Sequence, residues 1–248
     1  MLGKKIWVAL IGTCVLFYIT AGFQNPPANP QSGIKRPHLD KSQWPVTDYQ
    51  APEQADAVSH AERLSRGKKF NRSKFELTPL DINDQTIVTH SETDLLPDLP
   101  VSQSDAIIIG EVTDAHAYLS EDKTGVYSEF TVHVSNVLKN SIASPIAQAT
   151  SIYLLREGGR VKFPSGRMHL YSISGVRMPV AGKQYVFFLK HLEETNVFSL
   201  LTGYELMEGK VSPLDELRQF GTYRGADEAT FLNKVQEKIS STSQPTPQ

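Results

Sequence analysis

From Ser104 to Thr202 the chain is a series of short apolar runs broken by turn residues, with no helical period long enough to cross over between parallel neighbours. This pattern limits the fold more than any other feature. Asp105–Thr113 (DAIIIGEVT) is a β-branched run bounded by polar residues, which predicts a strand buried on both sides. The next segment alternates: Val126, Ser128, Phe130, Val132, Val134 and Leu138 fall on one face, and Tyr127, Glu129, Thr131, His133 and Ser135 on the other. That period of two predicts a half-buried strand, joined to the first through the turn chemistry of Glu121–Gly125. Further strands are predicted at 151–155, 168–174, 184–189 and 197–202, with a last pairing across Tyr204–Val211 that turns at Glu208 and Gly209. The fold class is therefore mainly β, an antiparallel sandwich or barrel. A barrel is preferred because closure leaves no exposed edge.

The rest of the chain gives the organisation. Lys4 and Lys5 precede an uncharged run from Ile6 to Phe23. As a helix it would rise about 27 Å, close to the hydrocarbon thickness of a bilayer. Residues 1–23 read as a signal anchor, or as a signal peptide cleaved at the imperfect small-residue site Ala21-Gly22. Either way residues 6–23 engage the membrane, and the remainder is extracytoplasmic: membrane-anchored, or secreted or periplasmic after cleavage. Cys14, the one cysteine, lies inside the apolar run, so no disulfide can form beyond it. Residues 24–99 read as a Pro-rich tether with a short helix, where Ala55, Val58, Ala61 and Leu64 recur every three residues, and an acidic segment. Residues 100–212 form the β domain. Residues 213–240 are a C-terminal helical segment with Phe231, Leu232, Val235 and Ile239 at helical spacing, and 241–248 are a disordered tail.

The net charge of −2 conceals an asymmetry. From Phe75 to Asp122 there are eleven acids and no Lys or Arg. The simplest expectation is that this portion folds against the basic stretch Arg156–Lys190; the sharper one is a surface for divalent cations or a basic partner.

The strings SDAIIIGEVTDA, YSEFTVHVSNVLKN, the strand ending in Arg156-Glu157-Gly158-Gly159, and MPVAGKQYVFFL resemble a set of uncharacterised exported bacterial proteins with an OB-like barrel of the netrin or tissue-inhibitor-of-metalloproteinase kind. The resemblance spans about residues 100–212 and implies a small OB-like barrel with flanking helices, behind an N-terminal transmembrane segment. It carries no catalytic residues. The animal inhibitors chelate a protease zinc through a disulfide-fixed amino-terminal cysteine, and nothing downstream of Cys14 can replace that residue.

Several chemistries lack their residues. The seven histidines form no HxH, HxxxH or HExxH, and GxSxG, GxGxxG and GxxxxGK[ST] are absent. No catalytic residue, cofactor or metal site is expected. Beyond Phe23 there are 23 basic and 27 acidic residues, which argues against nucleic acid. OB-like barrels bind ligands across one face, and here Tyr118, Tyr153 and Tyr171, with Arg160 and the further tyrosines Tyr127 and Tyr185, are the candidate groove. The expected function is a non-catalytic binding or interaction module for a protein or glycan of the envelope. The alternatives are an enzyme of unrecognised type using carboxylates of the acidic segment, and a purely structural envelope protein.

Overall fold

The structure is a computed structural model and describes residues 43–50, 57–71, 86–89, 96–195 and 197–242. Residues 6–23, for which a membrane segment is expected, lie outside these. No helix among the described residues is long and apolar enough to cross a membrane.

The fold is mainly β. In chain order the elements are β1 (Val46–Asp48), α1 (Ala57–Lys68), β2 (Thr86–Thr89), β3 (Ala106–Leu119), β4 (Val126–Lys139), β5 (Ser151–Glu157), β6 (Gly159–Lys162), β7 (Met168–Ile173), β8 (Gln184–Leu192), β9 (Val197–Met207), β10 (Lys210–Pro213), a 3-10 helix at Arg218–Tyr223, and α2 (Glu228–Thr242). The larger sheet has the order β10-β9-β5-β4-β3-β8, and β8 also pairs with β9, so five strands close into a partial ring, β3-β4-β5-β9-β8. A smaller sheet, β1-β6-β7-β2, lies apart from it in the hydrogen-bond ladder.

The ring is filled from alternate positions of its strands. Ile108, Phe130, Val132, Leu154, Phe187 and Leu200 form one cluster. Ile107, Val186, Phe188 and Tyr204 face the other way and pack beneath Phe220 of the 3-10 helix and Phe231 and Val235 of α2. The run that opens β3, Ala106 to Ile109, is thus covered on both faces, as its β-branched sequence predicts, because α2 lies over what would otherwise be an apolar outer wall. Asp227 caps α2 by accepting the Thr230 N–H at 3.1 Å. At the β9–β10 turn both Glu208 and Gly209 have positive φ, 53° and 73°, the geometry of a two-residue hairpin with matching twist.

Four differences from the sequence reading have physical causes. First, the pairing is not wholly antiparallel: β5–β9, β1–β6 and β2–β7 are parallel. The long excursion through β6, β7 and β8 gives the chain room to return beside β5 in the same direction. Second, Leu138 does not share a face with Phe130. Register shifts between β3 and β4 reverse the phase, so Val137 packs with the ring interior and Leu138 with the α2 side. Third, the Tyr127–Glu129 end of β4 is not solvated: Tyr127 is fully buried and Glu129 is 9% exposed. Fourth, parts of the 24–99 segment read as a tether belong to the packed structure. Trp44 joins the ring interior, and Phe70, just past α1, stacks on Tyr127 at 4.7 Å. At the other end α2 continues through Ser241 and Thr242, and residues 243–248 lie outside the described set.

The acidic and basic stretches do meet at Asp105 and Lys190, 2.9 Å apart. The basic residues Arg156 and Arg177 find their acids elsewhere, in Asp215 and Glu216.

Candidate functional site

β5 and β9 run parallel for two register pairs, Leu154–Phe198 and Leu155–Ser199, where their pairing stops. The residues that follow, Arg156 and Glu157 on one strand and Leu200 and Leu201 on the other, line a cleft of about 390 Å³. Ile173 at the end of β7, Val176 in the turn after it, Leu96, Ser199, and Lys69 and Phe70 beyond α1 complete it.

Arg156 has the parity of Leu154, an interior residue, and is only 4% exposed. Its Nη2 donates to Asp215 Oδ1 at 2.6 Å. Asp215, fully buried, also accepts the Arg177 N–H on Oδ1 at 2.9 Å and the Thr202 hydroxyl on Oδ2 at 2.8 Å. Both carboxylate oxygens are therefore engaged. The guanidinium is engaged only through Nη2: its Nε and Nη1 are buried without a hydrogen-bond partner. A buried charge is tolerated when it is paired, and each unmet donor on it carries a desolvation cost of about 1–3 kcal/mol. Lys69, on the exposed side of the cleft, has its ammonium pKa lowered by burial, against the opposing pull of Glu194.

The tyrosines of the expected groove do not converge. Tyr118 and Tyr127 are cross-strand partners on β3 and β4 and pack together, rings 5.8 Å apart. This face is covered by α1: Arg63 lies 5.1 Å over the Tyr118 ring, the Tyr127 hydroxyl donates to the Arg63 carbonyl, and Arg66 Nε meets Glu129 Oε1 at 2.8 Å. Burial, and then the Glu129 charge, raise the pKa of both hydroxyls. Tyr171 lies in another cluster with Val161 and Phe163, its hydroxyl unpartnered and pushed up to about 12 by burial. Tyr185 is interior to the ring, and its hydroxyl oxygen accepts the Val180 N–H at 3.1 Å. Tyr153 stands 54% exposed on β5. Arg160 is on β6, its N–H bonded to the Pro45 carbonyl. Tyr118, Tyr127, Tyr171 and Tyr185 thus pack in three different clusters, while Tyr153 and Arg160 belong to none of them.

Arg156 and Asp215 were missed by the sequence reading, although the shared parity of Leu154 and Arg156 signals an inward charge. His116 pairs with Asp114 at 2.8 Å on the surface, and among the described residues no three metal-capable side chains cluster. Of the acidic segment, burial opposes ionisation of Asp105 and Asp122, yet hydrogen bonds, from Lys190 and from Thr124 respectively, hold both carboxyls below their ordinary range. General-acid chemistry needs the opposite shift. Comparison with family models and with curated proteins finds no match to this chain.

Proposed function

We propose that the chain is a non-catalytic binding module of the cell envelope: an OB-like barrel held on the outer side of a membrane through residues 6–23, with the cleft beside Arg156 as its ligand site. The ring order β3-β4-β5-β9-β8 supports the OB-like part of the reading, since such barrels have five strands in Greek-key connection. So does the resemblance to exported proteins with a netrin-like or tissue-inhibitor-like barrel. The ligand is a protein or glycan of the envelope, and the acidic balance beyond Phe23 disfavours nucleic acid.

One observation carries the proposal: a concave, largely apolar site contains a buried cation whose donors are not all used. The test is photo-cross-linking from residue 176 of the full-length chain in intact cells. A discrete adduct with an envelope component, in the membrane fraction, is the expected result. Absence of any adduct, or recovery of the chain in the cytosol, overturns the proposal.

A further inference from the structure

The chemistry of the cleft narrows what it takes. Building on the reading of this cleft as the binding site, we propose that its ligand is a carboxylate carried on an apolar chain, with the carboxylate on Arg156 and the chain against Leu96, Ile173, Val176 and Leu200.

Three features lead to this ligand. Arg156 is the most buried charge of the lining, and its Nε and Nη1 have no acceptor. Asp215 does not supply one: it meets the guanidinium at Nη2 alone, and its oxygens also accept the Arg177 N–H and the Thr202 hydroxyl. The role of Asp215 is to orient the guanidinium. A ligand oxygen that reaches the remaining donors forms charge-assisted bonds in a site shielded from water, where they are strong.

The second feature sets the charge of the ligand. Glu157, half-buried beside Arg156, is also part of the lining. With exposed Lys69 the lining carries two cations, Lys69 and Arg156, against the one acid Glu157, an excess of one positive charge that suits a monoanion and disfavours a dianion such as a phosphate monoester.

The third is the wall. Ile173, Val176 and Leu200 are each under 10% exposed and Leu96 is half-buried, so the rest of the ligand meets hydrocarbon. A volume of about 390 Å³ admits a residue-sized or short-chain group, and is too small for a folded segment. Two sources supply this chemistry: the free C-terminus of an extended peptide, which keeps to the protein ligand proposed above, and a fatty acid, which would replace it.

The experiment is calorimetric titration of the full-length chain in lipid nanodiscs, with empty nanodiscs as control. The probes are acetyl-Val-Val-Leu as the free acid, the same peptide as its C-terminal amide, octanoate and octanol. At least one acid should bind about tenfold or more tighter than its uncharged counterpart, and which acid does so identifies the source. Val176→Trp, which fills the cleft from its wall, should abolish that binding. Arg156→Lys, which keeps a cation for Asp215 but loses the free donors, should weaken it about tenfold. Failure of Arg156→Lys to fold leaves the decision to the acid-versus-neutral comparison and to Val176→Trp. Equal binding of acid and neutral probes, binding of neither acid, or binding that survives Val176→Trp overturns the inference. A cross-link from residue 176 obtained alongside any of those results would sink this ligand class and leave the binding-module reading standing.

Discussion

Arg66 holds Glu129 through two bonds, Nε to Oε1 at 2.8 Å and Nη2 to Oε2 at 3.3 Å, and so fastens α1 to β4. Both side chains are largely withdrawn from solvent, at 15% and 10% exposure. Glu129→Gln should weaken the attachment of α1 by about 2 kcal/mol, the scale of a charge-assisted hydrogen bond in a partly dry site. Amide hydrogen exchange over 57–68 should accelerate while the amides of β8 keep their protection.

The pairing of Arg156 with Asp215 predicts an asymmetry between single and double replacement. Asp215→Ala leaves an uncompensated guanidinium and should cost about 3–5 kcal/mol in a urea titration. Adding Arg156→Met to Asp215→Ala should recover much of that loss, because an apolar side chain needs no counter-charge. A double variant less stable than either single one would contradict this account.

Tyr171 has a buried hydroxyl without a partner, so removing it relieves a cost. Tyr171→Phe should leave stability unchanged or raise it by about 1 kcal/mol at neutral pH. The alkaline limb should also change. With the folded pKa pushed up to about 12 by burial, above the usual phenol value, Tyr171 leaves stability independent of pH below the unfolded pKa, and lowers it as pH rises from there through the folded one, because only the unfolded chain ionises freely. Denaturant midpoints measured up to high pH should therefore fall less steeply for Tyr171→Phe than for the parent chain.

Asp105 gives the acid-side counterpart. Burial resists its ionisation, but the Lys190 ammonium and the His191 N–H prevail and hold the carboxyl below its ordinary pKa. Its contribution to stability is present above the unfolded carboxylate value, about 4, and disappears as pH falls through the folded one. Asp105→Asn should narrow its stability difference from the parent chain on acidification, as read from melting curves between neutral pH and pH 3.

How far the sequence could be read depended on the range of the interactions. Alternation in β4, the apolar run of β8 and the Glu208-Gly209 turn are local, and they gave the strands and a hairpin correctly. The phase reversal that sends Leu138 to the α2 side needs a register shift, which alternation cannot reveal. β6 was hidden because the strand before it reads as ending in Gly158-Gly159, whereas Gly159 opens β6. Both glycines do have positive φ, 106° and 149°, but they direct the chain straight into a strand, and a Cβ on Gly158 would come within 2.8 Å of the Tyr171 carbonyl oxygen. The Tyr127–Glu129 face looked solvated because it mixes polar and aromatic residues, and only the position of α1 shows otherwise. Arg156 and Asp215 stand 59 residues apart, so no spacing rule could pair them. The tyrosines that suggested a groove did so by type alone, and packing explains each buried one.

The two register pairs that join β5 to β9 connect segments made at different times. A ribosome that has completed β8 but not Val197 carries a sheet whose β5 and β8 edges are both unsatisfied. Such edges recruit other chains, and distant pairings form only after loop-closure entropy has been met. Translation up to Met207 is thus the interval in which this protein is most exposed to self-association, and a stop codon introduced before β9 should yield insoluble material rather than a smaller working domain.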